Sequence, residues 1–465
     1  MSDSEPLHFK NQKKRQDSVL TDDRKAISAG ISTLIISPYL TKESRMLASS
    51  GRSPQMRLEE AVGLARAIDL DVQDSILLPL TQIRSATYIG KGKVEELATI
   101  IEAKEIELVV MDCALSPIQQ RNLEKSLAAK IIDRTGLILE IFGSRAHTKE
   151  GMLQVELAHL EYQKGRLVRS WTHLERQRGG FGFMGGPGET QIETDRRLIQ
   201  ERIRRIEREL EAVKRTRALH RKGRERVPYP TIAFVGYTNA GKSTLFNRMT
   251  TASVLAEDML FATLDPTSRA VTLPHGETVI LSDTVGFISE LPTMLIAAFR
   301  ATLEDVISAD ILLHIRDISS LETDAQSADV QQVLNELGID AHDTGRIIEI
   351  WNKADKLSDD DIHQKLAQIS RRRDIDRPVL VSALTGEGIE TLRLEIDRRL
   401  AENKLYFILE IALEDGAAAA WLYRNTDVIE REQKDDSFIF KIRVPRSQSA
   451  VFLKKFPRSV QSRPF

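Results

Sequence analysis

The sequence predicts an α/β protein of several parts: a P-loop domain, an α/β domain before it, a long antiparallel helical hairpin joining the two, and a small C-terminal α/β domain. Three observations carry this. A G-x-x-x-x-G-K-S loop at 236–243 lies between a strand-like run, 231–235, and a helix start at 242–250, which is the context such a loop needs. Residues 30–147 alternate short β-branched runs with helical ones, the pattern of a parallel sheet. Two amphipathic runs then flank a glycine-rich stretch.

Residues 1–29 read as a solvated polar tail, because Lys10, Lys13, Lys14 and Arg15 alternate with Asp3, Glu5, Asp17, Asp22 and Asp23, and transit peptides are poor in acids. In the domain 30–148, strands are expected at Thr33–Ile36, Ile76–Leu78, Glu107–Met111 and Lys130–Ile132, with helices at Val94–Ala103 and Ile118–Ala128. Residues 149–228 are the hairpin. Leu153, Leu157, Leu160, Leu167, Trp171 and Leu174 follow a 4-3 alternation broken at Lys164; Ile192, Ile199, Ile203, Ile206, Leu210 and Val213 form the second run. Each helix should reach roughly 40–50 Å. Its tip, Arg178 to Glu189, is half glycine yet carries Phe181, Phe183 and Met184, residues costly to leave in water. That favours insertion into a partner over a passive hinge. Charge is concentrated here. Arg196 to Arg226 holds 13 Lys or Arg against 5 acids, and Lys164 to Arg178 holds 5 against 1, in a chain of net charge −2. Cations along helices with aromatics at the end suit RNA. Residues 229–399 are the nucleotide domain, and 400–465 hold strands at Leu405–Leu409 and Ser437–Ile442 with no evident chemistry.

The nucleotide motifs run in order. Gly236, Tyr237, Thr238, Asn239, Ala240 and Gly241 turn backbone N–H groups toward phosphates; Lys242 neutralises the terminal phosphates; the Ser243 hydroxyl binds Mg²⁺. Asp283-Thr284-Val285-Gly286 ends the run Thr278–Leu281, placing an acid near Mg²⁺ and the Gly286 N–H near a γ-phosphate. Asn352-Lys353-Ala354-Asp355 follows the strand Arg346–Trp351. A carboxylate there accepts from both N1–H and the exocyclic amine of guanine, a donor pair adenine lacks. Ser382-Ala383-Leu384 follows Pro378–Val381 and closes over the base. Singly, each motif has a bland reading as a turn or a helix cap; four in order, each at a strand end, point to a P-loop GTPase domain of the translation-factor-related class. In Phe261-Ala262-Thr263-Leu264-Asp265-Pro266-Thr267, Thr263 and Thr267 are rivals for the switch threonine joining Mg²⁺ and γ-phosphate, and the family resemblance given below favours Thr263.

One departure bears on mechanism. Phe287 stands where many GTPases carry a water-orienting Gln after D-x-x-G. Hydrolysis then needs another group, the backbone, or a partner. In GTPases similar at Asn239 that also lack the Gln, this asparagine helps hold K⁺; the alternative is a bond to its own loop. The catalytic set expected is Lys242, Thr263, Gly286 and Asn239. The chain's 465 residues and 41% apolar content suffice for about three domains, and no apolar run approaches the roughly 18 residues of a membrane helix. One cysteine, Cys113, excludes a disulfide framework and is expected to be buried. A cytoplasmic monomer without a membrane anchor is the expectation.

With these residues set out, the chain resembles the HflX family of ribosome-associated GTPases over about residues 30–400. The residues that carry this are Thr87-Tyr88-Ile89-Gly90-Lys91-Gly92-Lys93, the glycine-rich stretch running into Gly188-Glu189-Thr190-Gln191, Gly236 to Ser243, and Phe261 to Asp265. The resemblance implies binding to the large (50S) ribosomal subunit through the N-terminal region, the tip approaching the peptidyl-transferase region. It also implies a role in ribosome splitting, rescue or maturation. ATP binding by the N-terminal domain has been discussed for the family, but Gly90-Lys91-Gly92 is too short to support it and reads as a helix-start turn. Two rival readings are a GTP-regulated assembly or scaffold factor without splitting activity, and a cation-dependent tRNA-acting GTPase.

Overall fold

The computed structural model describes residues 30–41, 53–177, 187–224, 229–250, 260–261, 267–289, 303–402, 404–434, 436–445 and 449–462. The chain divides into two compact units, residues 1–210 with 257–265 and 288–300, and residues 211–256 with 266–287 and 301–465.

In the first unit, β1 (Ser32–Leu40), β2 (Asp71–Leu80), β3 (Leu108–Met111) and β4 (Lys130–Asp133) form one sheet in the order β2-β1-β3-β4. Every pairing is parallel, as the alternation predicts. Helices α1 (Pro54–Arg66), α2 (Lys91–Ala103), α3 (Pro117–Leu127) and α4 (Arg134–Arg145) connect and cover the strands. Their starts are chemically marked: Ser53 caps α1 with Pro54 at its first position, and Ser116 and Gln119 form a capping box on α3. Gly90 is the N-cap of α2 with no side-chain capping bond, the helix-start turn expected. Leu34, Ile36, Val109, Met111 and Ile131 form the centre of the core, which also takes in Cys113. Burial pushes the Cys113 thiol well up.

Two long helices follow, α5 (Lys149–Gln177) and α6 (Pro187–Arg224). Their 29 and 38 residues span about 44 and 57 Å at 1.5 Å per residue. Leu153, near the start of α5, packs with Ile206 and Leu210, far along α6, and Glu156 pairs with Arg202 at 2.7 Å. The hairpin is therefore antiparallel. Asp133 fastens α5 to the sheet by accepting from Tyr162 at 2.6 Å and from Arg166 at 2.7 Å. The tip residues 178–186, including Phe181, Phe183 and Met184, lie outside the described residues.

The second unit holds two sheets. The larger has the order β10-β9-β8-β5-β7-β6, made of β5 (Thr231–Gly236), β6 (Thr267–Thr272), β7 (Thr278–Asp283), β8 (Ile311–Asp317), β9 (Ile347–Asn352) and β10 (Val379–Leu380). Only the edge strand β6 is antiparallel. Its helices are α7 (Lys242–Thr250), α8 (Glu304–Ser308), α9 (Thr323–Glu336), α10 (Asp359–Ser370) and α11 (Ile389–Glu402). β5 and β8 lie at the centre, and Ile232, Phe234, Leu313, Ile315 and Ile350 are fully buried. The smaller sheet is wholly antiparallel, in the order β12-β13-β11-β14. β11 (Lys404–Ala412), α12 (Gly416–Asn425), β12 (Asp427–Lys434), β13 (Ser437–Pro445), α13 (Ser449–Lys455) and β14 (Val460–Ser462) run β-α-β-β-α-β, a split βαβ arrangement. No helix among the described residues is long and apolar enough to cross a membrane.

Candidate nucleotide site

The site grows from the carboxyl ends of the parallel strands, where open α/β sheets bind ligands. β5 ends at Gly236, and the loop 237–241 leads into α7. Gly241 has φ +90°, and a side chain there would collide with the Asn352 amide, so only glycine fits. Asn239 also lies in the left-handed region, at φ +58°, which Asn tolerates better than most residues, and its side chain is exposed.

The chemistry of the loop is compact. Lys242 is 6% exposed and donates to the Tyr237 carbonyl at 2.7 Å. Burial pulls its ammonium down to about 8, while Asp283 favours the charged form. A triphosphate would supply the missing counter-charge. Ser243 Oγ donates to Asp283 Oδ2 at 2.7 Å, so a hydroxyl and a fully buried carboxylate face each other. That oxygen pair is the donor type Mg²⁺ prefers: Ser243 would hold it directly and Asp283 through water. Gly286 comes against the loop: a methyl group there would lie 2.9 Å from Lys242 Nζ and 2.9 Å from Thr238 Cγ2. Phe287 is 2% exposed. Its N–H donates to Gly236 O at 3.0 Å, and its carbonyl accepts from the Thr238 N–H at 2.7 Å. Thr284 does not point its hydroxyl at a ligand; it donates to Phe234 O of β5.

The base end is tied to the phosphate end. Asn352 donates through Nδ2 to Ala240 O at 2.8 Å and accepts through Oδ1 from the Ala383 N–H at 3.0 Å. Lys353, at φ +66°, pairs with Asp317 at 2.9 Å. Asp355 is exposed, and its Oδ1 accepts from Ser382 Oγ at 2.5 Å. Leu384 is 68% exposed. The structure thus brings together Gly236 to Ser243, Asp283 to Gly286, Asn352 to Asp355 and Ser382 to Leu384. Ala262, Thr263, Leu264 and Asp265 lie outside the described residues, whereas Thr267 opens β6 opposite Asp283. Phe261 is 2% exposed with its ring edge-to-face on Phe142 at 4.8 Å.

Sequence reading missed two arginines that hold loops in place. Arg248 of α7 donates through Nε to Ala383 O at 3.2 Å and also to Leu384 O, gripping the base loop from below. In the first unit, Arg134 is 4% exposed and donates to Asp112 at 2.5 Å, Glu60 at 2.7 Å and Ser289 Oγ at 2.9 Å. All four residues of this buried ion network belong to the first unit. No local signal marks it, because Arg134 and Ser289 are 155 positions apart.

This fold and these converging motifs define a P-loop GTPase, a protein that binds GTP and hydrolyses it. Family models agree across the chain. One described as "50S ribosome-binding GTPase" matches residues 231–353, and "HflX C-terminal domain" matches 367–462. "GTP-binding GTPase N-terminal" and "GTP-binding GTPase Middle Region" match 55–143 and 145–224. The chain belongs to the HflX family of GTPases. It is 53% identical over 382 residues to "GTPase HflX" of Magnetococcus marinus, covering 82% of this chain and 86% of that protein. "GTPase HflX" of Escherichia coli K12 is 44% identical over 362 residues, covering 77% and 82%. A solved structure described as SsGBP in complex with GDP aligns with 80% of this chain and 98% of that one at 23% identity, with a TM-score of 0.46.

Proposed function

We propose that this GTPase is a nucleotide-controlled factor of the large ribosomal subunit, acting in the cytoplasm in ribosome splitting, rescue or maturation. The observation that carries the reading is the surface of α6. Arg196, Arg197, Arg202, Arg204, Arg205 and Arg208 are all exposed, and among the described residues Arg196 and Arg204 have no ion-pair partner. Such a row is suited to ribosomal RNA phosphates. The printed description of the family model at 231–353 supports the same partner. The rest of the hairpin and its tip, 178–189, would extend the contact.

In this reading GTP lies on Gly236 to Ser243, its guanine is read by Asp355, and Mg²⁺ is held by Ser243 and Thr263, with Asp283 acting through water. Lys242 and the Gly286 N–H bear on the γ-phosphate. Asn239 is assigned to K⁺, which would supply positive charge near the phosphates; its exposed left-handed position supports this. The chain acts as a monomer. Because Phe287 is apolar, turnover of the isolated protein in Na⁺ should be slow and should rise when K⁺ or large subunits are added. Phosphate release measured in Na⁺, in K⁺ and with large subunits tests this; rapid turnover in Na⁺ alone would refute it.

A further inference from the structure

Thr238 carries a group that the folded chain leaves unused. It is 5% exposed, and among the described residues its Oγ1 has no hydrogen-bond partner. A buried hydroxyl in that state costs about 1–3 kcal/mol, and proteins rarely retain one without a use. Three other hydroxyls of the site are engaged: Ser243 with Asp283, Thr284 with Phe234 O, and Ser382 with Asp355.

The place of Thr238 limits what that use can be. A methyl group on Gly286 would be 2.9 Å from both Lys242 Nζ and Thr238 Cγ2, so the Thr238 side chain, the lysine ammonium and the D-x-x-G glycine border one small space, and a rotation about χ1 exchanges the Thr238 methyl for its hydroxyl there. Lysine and glycine N–H groups there serve the γ-phosphate. What lacks a side-chain partner is the attacking water, because the next residue, Phe287, is apolar and 2% exposed.

We propose that Thr238 is a positioning residue for hydrolysis, its hydroxyl accepting a hydrogen bond from the attacking water while donating to a γ-phosphate oxygen. One hydroxyl has a donor and two acceptor sites, enough for both contacts. The water oxygen bonds to the γ-phosphorus as the bond to the β–γ bridging oxygen breaks. The electron pair leaves with GDP, and the water proton passes to the released phosphate. Thr238 gains and loses no proton.

The test compares Thr238→Val, which keeps the shape and removes the hydroxyl, with Thr238→Ser, which keeps the hydroxyl. Single-turnover hydrolysis of prebound GTP is measured on the full chain in K⁺ and Mg²⁺, alongside affinities for a non-hydrolysable GTP analogue, GDP, and GDP with aluminium fluoride. Thr238→Val should slow hydrolysis by about tenfold to a hundredfold and weaken the aluminium fluoride complex comparably, with ground-state affinities within about threefold. Thr238→Ser should stay within about threefold of the parent rate. A valine variant that hydrolyses at the parent rate overturns the proposal. So does a rate loss shared equally by serine, or one matched by lost affinity for the GTP analogue, since either marks a merely structural role.

Discussion

Asp355 accepts from Ser382 through Oδ1, which fixes the carboxylate while leaving it exposed for a ligand. On the proposed reading it accepts from two guanine donors at once. Asp355→Asn replaces one acceptor with a donor, so each lost charged hydrogen bond should cost about 2 kcal/mol of GTP affinity. Xanthine carries a carbonyl where guanine has its amine, so the same variant should bind xanthosine triphosphate better than the parent does. Competition binding with both nucleotides checks this; an unchanged GTP preference would remove Asp355 from guanine recognition. The phosphate-end residues have a comparable logic. Gly241 and Gly286 stand where any side chain would meet the Asn352 amide or the Lys242 ammonium, which is why the motif is glycine at those positions.

At the scale of the element, β8 shows what a sequence pattern hides. Its run Ile311-Leu312-Leu313-His314-Ile315 holds one histidine, which is 4% exposed with Nε2 lacking a partner among the described residues. Burial pushes the His314 imidazole down to about 4 from its ordinary 6.5. The unfolded chain therefore binds the extra proton first. Stability contributed by the neutral ring is intact above pH 6.5 and is lost as pH falls toward about 4. Thermal melts from pH 7 to pH 5 should show a falling midpoint that flattens in His314→Gln; equal slopes would mean that other groups set the acid response.

Buried parallel strands were legible where they read as largely apolar runs, as β1, β3 and β5 do, whereas β8, equally buried, carries His314 and Arg316 and was not marked as a strand. Edge strands were less so. Only Ile76–Leu78 of β2 stands out, because Asp71-Val72-Gln73-Asp74-Ser75 keeps one side in water. β6 reads as a polar loop, since most of Thr267–Thr272 is exposed, and Thr267 was weighed as a switch residue rather than a strand start. The nucleotide motifs were legible because each needs fixed residue types at fixed spacing. Arg248 and Arg134 were not, because their partners are set by topology and lie between 22 and 155 positions away.

At the scale of the whole molecule, charge is divided by part rather than by total. The net charge is −2, yet α6 presents a row of exposed arginines while Asp283, the acid of the nucleotide site, is fully buried. A GTPase domain of this kind is a timer, and what it times is set by the parts attached to it. The two hairpin helices span about 44 and 57 Å. On the proposed reading, nucleotide state governs docking on the large ribosomal subunit. The most direct measurement is co-sedimentation of the purified chain with large subunits, in a non-hydrolysable GTP analogue or in GDP. The account predicts at least about tenfold tighter binding with the GTP analogue, a coupling of roughly 1.4 kcal/mol or more, weakening steeply with added salt. Equal binding in GDP and the GTP analogue would contradict it.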